Sequence, residues 1–352
     1  MNNAFLSEDS ARPQGSHAPP GNRSGSRLLR QMPFIVLILM SSGLLTGDVG
    51  AEERTYPIKI GELTSSWGPT PAMVGLRDGL LELGYRENEQ FVLGIRFTQG
   101  DLTALPAAAR ELVQYGVDII VASEDGPAKA AQMATTRIPI VFSVVTDPVG
   151  QGLIQSFARP GGNITGVADL QLELGPKRLE LFREIVPNLK RVLFLYDTAD
   201  ARAVAAAKVY REAARRLGIE LMEKPVRTEE EAQATLAQIS KDEVDGILEP
   251  PQASLNIPGF SLEAASRQAI PTMFAAPFWV ERSGLASYGP DFHETGRQAA
   301  RLVDKILKGA HPAEIPVEVN PKVEFAINLK VAKALGLTIA PEVLYRADRI
   351  IR

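Results

Sequence analysis

Residues 117–145 read VDIIVASEDGPAKAAQMATTRIPIVFSVV. Two short apolar runs, 117–121 and 138–145, flank a helical stretch at 127–135. A strand buried on both faces has no solvent side to keep polar, so it appears as an unbroken apolar run. Such runs with a helix between them predict a parallel sheet covered on both faces. The join between the first run and the helix mixes a hydroxyl, two acids and a glycine, the chemistry of a strand-to-helix turn.

The same rhythm continues in both directions. Upstream, strands are predicted at 58–60 and 91–97 and helices at 71–83 and 103–115, the helices stopped by Gly84 and Gly116. Downstream, a helix closes at 179–185, and strands at 191–196, 219–224, 244–248 and 270–274 alternate with helices at 201–217, 229–239 and 262–268. The stretch at 158–163, ARPGGN, reads as a turn or crossing segment between two halves. A strand leaving one half at 284–289 leads through a turn into a long amphipathic helix at 292–308. The reading is an α/β chain of two doubly wound parallel-sheet lobes joined by a hinge. One lobe spans 56–165 with 290–310 and the other 170–285, while 311–352 is left unassigned.

Ahead of these halves, Arg27 and Arg30 precede an apolar run of about 14 residues at 32–45. A spanning helix needs about 20 residues, and Val49-Gly50-Ala51 supplies a small-residue cleavage pattern. Residues 1–51 are therefore read as a disordered prefix plus a secretion signal that is removed, which places the product in the periplasm. The sequence contains 0 Cys, which excludes disulfides, thiolate chemistry, cysteine metal sites and a lipoprotein anchor. With only 3 His, a histidine metal centre is not expected either. A net charge of −4 argues against nucleic acid as a partner.

In parallel sheets, ligands bind beyond the carboxyl ends of the strands, and two facing lobes make a cleft there. The loops at those ends supply Ser65, Ser66, Ser123, Glu124, Asp125, Thr146, Asp147, Asp197, Asp200 and Gln252 as candidate ligand-binding residues, with Thr198, Glu249 and Ser254 nearby. None of the loops contains Lys or Arg, and Arg202 falls just outside them. Anionic ligands are usually held by such cations, so the expected solute is neutral, zwitterionic or cationic. Trp67, Phe278 and Tyr288 join the candidates as aromatic walls, whereas Trp279 is read as the core of a helix start. No phosphate-loop, dinucleotide or nucleophile-elbow motif occurs, and no cofactor is expected.

Two long segments resemble one known family. They are IPIVFSVVTDPVGQGLIQSFARPGGNITGV at 138–167 and SGLASYGPDFHETGRQAARLVDKILKGAHPAEIPVEVNPKVEFAINLKVAKALGLTIAPEVLYRAD at 283–348. Both resemble the TrpX-like family of ABC-transporter substrate-binding proteins, and the likeness extends over 56–351. The resemblance implies a type I periplasmic-binding fold and delivery of a small-molecule solute to a membrane permease with its ATPase, and the protein is expected to be a monomer. It places the ligand loops on Ser65, Ser123, Thr146, Asp147 and Asp197. Some members are associated with aromatic amino acids. The acids Glu124 and Asp125, and again Asp197 and Asp200, stand where the family has less acidic turns, which favours an amine or another polar solute. A sensing protein for a membrane receptor and a secreted α/β enzyme are the alternatives, with the effector domain of a transcription factor a more distant one.

Overall fold

The structure is a computed structural model and describes residues 57–352 apart from position 253. The prefix and secretion signal expected at 1–51 lie outside the described residues.

The first half runs β1 (Ile58–Thr64), α1 (Pro71–Glu82), β2 (Phe91–Phe97), α2 (Leu105–Gln114), β3 (Ile119–Ser123), α3 (Asp125–Ala134), β4 (Ile140–Val145) and β5 (Ile164–Ala168). The second continues α4 (Gly175–Ile185), β6 (Arg191–Asp197), α5 (Ala201–Leu217), β7 (Glu220–Val226), α6 (Glu229–Gln238) and β8 (Gly246–Leu248). It closes with α7 (Ile257–Gln268), β9 (Thr272–Phe274), α8 (Phe278–Glu281) and β10 (Ala286–Pro290). The remainder is α9 (Phe292–Leu307), β11 (Glu318–Val319), β12 (Val323–Asn328), α10 (Leu329–Ala334), α11 (Pro341–Tyr345) and β13 (Arg349–Ile351).

These strands form two sheets, ordered β11-β5-β4-β3-β1-β2 and β13-β12-β10-β9-β8-β6-β7. All pairings are parallel except β10 with β12. Every residue of β3 and β4 is buried, as their apolar runs require. Each sheet has a core on both faces. In the first lobe Leu112, Ala128 and Phe142 pack on one side and Leu76, Val141 and Leu302 on the other. In the second, Phe182, Phe194 and Tyr210 face one way and Leu195, Leu236 and Ile247 the other.

Two elements depart from the sequence reading. The 158–163 turn does not cross between the lobes. It stays in the first lobe, where Asn163 donates through Nδ2 to the Ile138 carbonyl at 2.6 Å and leads into β5. β5 was not anticipated, because Gly166 interrupts its apolar pattern. That glycine is needed, since a Cβ there would overlap the Phe142 carbonyl on β4. The segment 311–352 belongs to both sheets, with β11 in the first and β12 and β13 in the second.

Helix α9 follows β10 of the second sheet but packs in the first lobe, against α1. Small residues allow that approach, since a Cβ on Gly75 would overlap the His293 carbonyl and one on Gly296 the Ala72 carbonyl. The chain thus passes between the sheets three times, after β5, after β10 and after β11. Asn320 joins all three passages. Its N–H donates to the Ala168 carbonyl at 3.4 Å, and its Nδ2 donates to the Asp291 carbonyl at 2.8 Å and to Thr295 Oγ1 at 2.9 Å.

Candidate functional site

A cavity of about 370 Å³ opens between the carboxyl ends of the two sheets. Thr64, Ser66, Trp67, Ser123, Glu124 and Val144 line it from the first lobe. Arg202, Glu249, Gln252, Phe274, Phe278 and Trp279 line it from the second, with Gln171 beside the first passage between the sheets.

On the first lobe, the turn after β1 is shaped by its own hydroxyls. Ser66 N–H donates to Thr64 Oγ1 at 3.1 Å, and Ser66 Oγ donates to the Gly68 carbonyl at 2.9 Å. This turn carries Trp67, which remains 45% exposed. At the end of β3, Ser123 Oγ donates to Glu62 Oε1 at 2.8 Å and lies 3.0 Å from Ser143 Oγ. Burial pushes the Glu62 carboxyl up to about 7, with the Ser123 hydroxyl opposing. The backbone is strained at the rim. Glu124 has φ 87° and ψ 166°, a region that suits glycine, and the β-branched Val144 has φ 57° at a break in the β4–β5 register. Asn256, another lining residue, has φ 48°.

On the second lobe, Asp200 caps α5 by accepting from the N–H of Arg202 at 2.9 Å and of Ala203 at 3.3 Å. That cap aims Arg202 across the cleft. Its guanidinium lies 3.1 Å from Asp125 and 3.8 Å from Glu124 of the first lobe, and 3.7 Å from Asp200. Burial works to lower the Arg202 pKa, but Asp200, Glu124, Asp125 and Asp169 outweigh it and hold the group charged. Burial raises Glu124 and Asp125 above the usual carboxylate range, with Arg202 pulling both back. Asp169, at the first passage, is pushed up to about 6, chiefly by burial. The expectation that the cleft lacks a fixed cation is therefore corrected. The loops themselves hold none, but the first turn of α5 delivers one. Arg282 is another lining cation, its guanidinium 3.5 Å from the centre of the Phe278 ring.

Glu249 follows β8, and its N–H donates to the Met273 carbonyl at 2.9 Å. The side chain is buried at 1% exposure, and neither oxygen accepts a hydrogen bond from any described residue. Burial pushes its pKa up to about 8, with the nearby Ser261 hydroxyl opposing. Gln252 crosses back to β6, accepting from Asp197 N–H at 3.1 Å and donating to the Leu195 carbonyl at 3.1 Å. Phe274 and Trp279 stack with ring centres 5.7 Å apart, and Phe278 meets Trp279 edge-on at 5.2 Å.

Of the candidates read from sequence, Ser66, Trp67, Ser123, Glu124, Gln252 and Phe278 line the cavity. The others stand behind its wall. Ser65 donates to Glu124, and Asp125 pairs with Arg202 while accepting from Gln151 and from Thr146 N–H at 3.2 Å. Asp147 closes its own turn onto Gly150 N–H at 2.8 Å, and Asp197 accepts from Ala199 N–H at 2.7 Å. Asp200 is spent on the helix cap. Tyr288 meets the Phe325 ring at 6.2 Å in the second-lobe core, and its carbonyl accepts from Arg178 Nε at 2.6 Å.

Sequence reading missed Arg202, Trp279 and Phe274, and it passed over Glu249. Arg202 left a trace: a cation in the first turn of a helix opposes the macrodipole and needs another reason to be there. Trp279 does begin a helix, as read, but it also lines the cavity. Among the described residues, no group of three or more acids and histidines is arranged to hold a metal ion.

The family model for ABC transporter substrate binding proteins matches residues 65–351. A tyrosine-binding protein of Clostridioides difficile (strain R20291) is 28% identical over 284 residues, covering 80% of this chain and 81% of the relative. Among solved structures, the ABC domain from Streptococcus pneumoniae in complex with L-Trp superposes with a TM-score of 0.76 at 28% identity, covering 84% of this chain and 100% of that one. A conserved domain protein from Vibrio cholerae gives 0.75 at 31% identity, over 83% of this chain and 99% of that one.

Proposed function

The chain belongs to the ABC transporter substrate-binding protein family, and we propose that it is the periplasmic capture component of an importer for an aromatic amino acid or a closely related aromatic amine. The observation that carries this reading is the composition of one cavity. Trp67, Phe274, Phe278 and Trp279 offer flat apolar walls, while Glu249 and the Ser66 and Ser123 hydroxyls offer polar ends. An amphipathic solute with a ring and a charged head matches such a surface. The relatives that bind tyrosine and L-Trp agree with it.

The acids at Glu124 and Asp125 pointed away from an aromatic solute when read as free ligand groups. Arg202 answers their charge within the chain, so they bear on closure more than on the ring. The head of the solute would meet Glu249 through its ammonium and Ser66, Ser123 and the first turn of α1 through its carboxylate.

Capture proceeds by bending at the three passages. Contact with both lobes favours the closed form, and a 1:99 to 99:1 shift needs about 5.5 kcal/mol of differential affinity. The closed protein, a monomer, presents its solute to a permease driven by an ATPase. No helix among the described residues is long and apolar enough to cross a membrane.

The test is a titration of the purified protein with L-tyrosine, L-tryptophan, L-phenylalanine, myo-inositol and glycerol, followed by intrinsic fluorescence and thermal shift. Saturable changes with aromatic amino acids alone are expected. Saturation by the polyol with no response to the aromatic compounds would overturn the reading.

A further inference from the structure

We propose that Glu249 is the receptor for the ammonium group of the solute, and that this carboxyl decides between amine-bearing aromatic solutes and their deaminated counterparts. The assignment deepens the reading above and rests on it.

The chain surrounds Glu249 in a way that withholds donors. Pro250 and Pro251 follow it directly, and a proline has no N–H to give. The Glu249 N–H itself is spent on Met273. Ser261 of α7 stands nearby, its Oγ without a hydrogen-bond partner of its own, while the cations packed around the site are engaged elsewhere. Arg202 of α5 pairs with Glu124, Asp125 and Asp200, and Arg282 lies over the Phe278 ring. Arg178 of α4 donates to the Tyr288 carbonyl, the Tyr210 hydroxyl oxygen and Gln171 Oε1. A buried carboxyl with no partner costs free energy, and native proteins retain few of them. This one borders the cavity in which a solute would lie.

The chemistry that fills such a site is an ammonium, a compact cation with several N–H donors and no acceptor. A neutral donor would leave one oxygen unmet, and a carboxylate would repel. Sites with a buried polar group meant for one ligand group reject analogues lacking it by far more than a missing methylene would, because the protein group is then left unpaired. Glu249 is thus a specificity-determining residue. Its raised pKa adds a second signature. Near pH 7 the carboxyl starts largely protonated, and a docked ammonium drives that proton into solution.

The experiment compares L-tyrosine with 3-(4-hydroxyphenyl)propionate, and L-tryptophan with 3-indolepropionate, on wild type and Glu249→Gln by calorimetry in two buffers of unlike ionisation heat. Wild type is expected to favour the amino acids by at least about 100-fold and to release close to one proton at pH 7. Glu249→Gln should lose at least about 30-fold for the amino acids, bind the deaminated acids unchanged or more tightly, and release no proton. A variant that binds the amino acids like wild type, or that loses both classes equally, overturns the assignment while leaving aromatic capture standing. A wild type that takes up neither class ends the capture reading and this assignment together.

Discussion

Around Arg202 the chain gathers Glu124, Asp125 and Asp200 within 3.1–3.8 Å, from both lobes. Around Glu249, on the same cavity, neither carboxyl oxygen accepts a hydrogen bond from any described residue. Both places are buried, and both sit where strands end. Their difference separates two tasks. Charges answered within the chain can hold one lobe against the other. A buried carboxyl left without a hydrogen bond is available to something arriving from outside. Burial alone would not have told the two apart.

The largest effect should come from breaking the first place. Arg202→Met leaves three buried carboxyls without their cation, and one-sided removal of a buried ion partner costs about 3–5 kcal/mol. Calorimetric unfolding near neutral pH measures it. A loss below about 1 kcal/mol would mean that the acids are neutral already and that the contrast with Glu249 is one of geometry only.

The second place is probed by pH. The folded pKa of Glu249 is raised above its unfolded value, so its contribution to stability is present below about 4.5 and lost as pH rises through about 8. Glu62, raised to about 7, acts in the same direction. Wild-type stability measured without solute should therefore fall between pH 5 and pH 9. Glu249→Gln should remove part of that slope and gain about 2–4 kcal/mol at pH 9, with little change at pH 4. A variant whose stability curve parallels that of wild type would place Glu249 in a wetter setting than its burial implies.

Between the two places lies the aromatic wall. Trp67→Ala should weaken aromatic amino acid binding by about 1–2 kcal/mol, read by titration calorimetry, and should leave stability almost unchanged because the ring is 45% exposed. The smallest effect is the control. Arg211 and Glu223 pair at 2.8 Å on the surface of the second lobe, and Glu223→Gln should cost no more than about 0.5 kcal/mol, set beside Arg202→Met in the same calorimeter.

Much of the fold was legible because buried parallel strands carry apolar runs, and β3, β4 and the 192–195 stretch of β6 show it. What escaped were short or interrupted strands. β8 and β9 have 3 residues each in the structure against longer runs in the sequence, and β5 is broken by a glycine that another strand requires. The cavity was partly legible, since Ser66, Trp67 and Ser123 lie in loops that any parallel sheet directs to its carboxyl edge. Arg202 escaped because it belongs to a helix, and its reach across the cleft depends on how the lobes face each other. Glu249 escaped for a different reason. Its meaning lies in two buried carboxyl oxygens that receive no hydrogen bond, which only three-dimensional packing can establish.

Asn320 has a mechanical consequence. One side chain and its own backbone N–H clasp all three connecting strands, so none can swing without dragging the others. The angle between the lobes then behaves as one coordinate, with a shared pivot at that asparagine. A membrane partner gripping both lobes would sense a single yes-or-no gesture, whichever solute produced it.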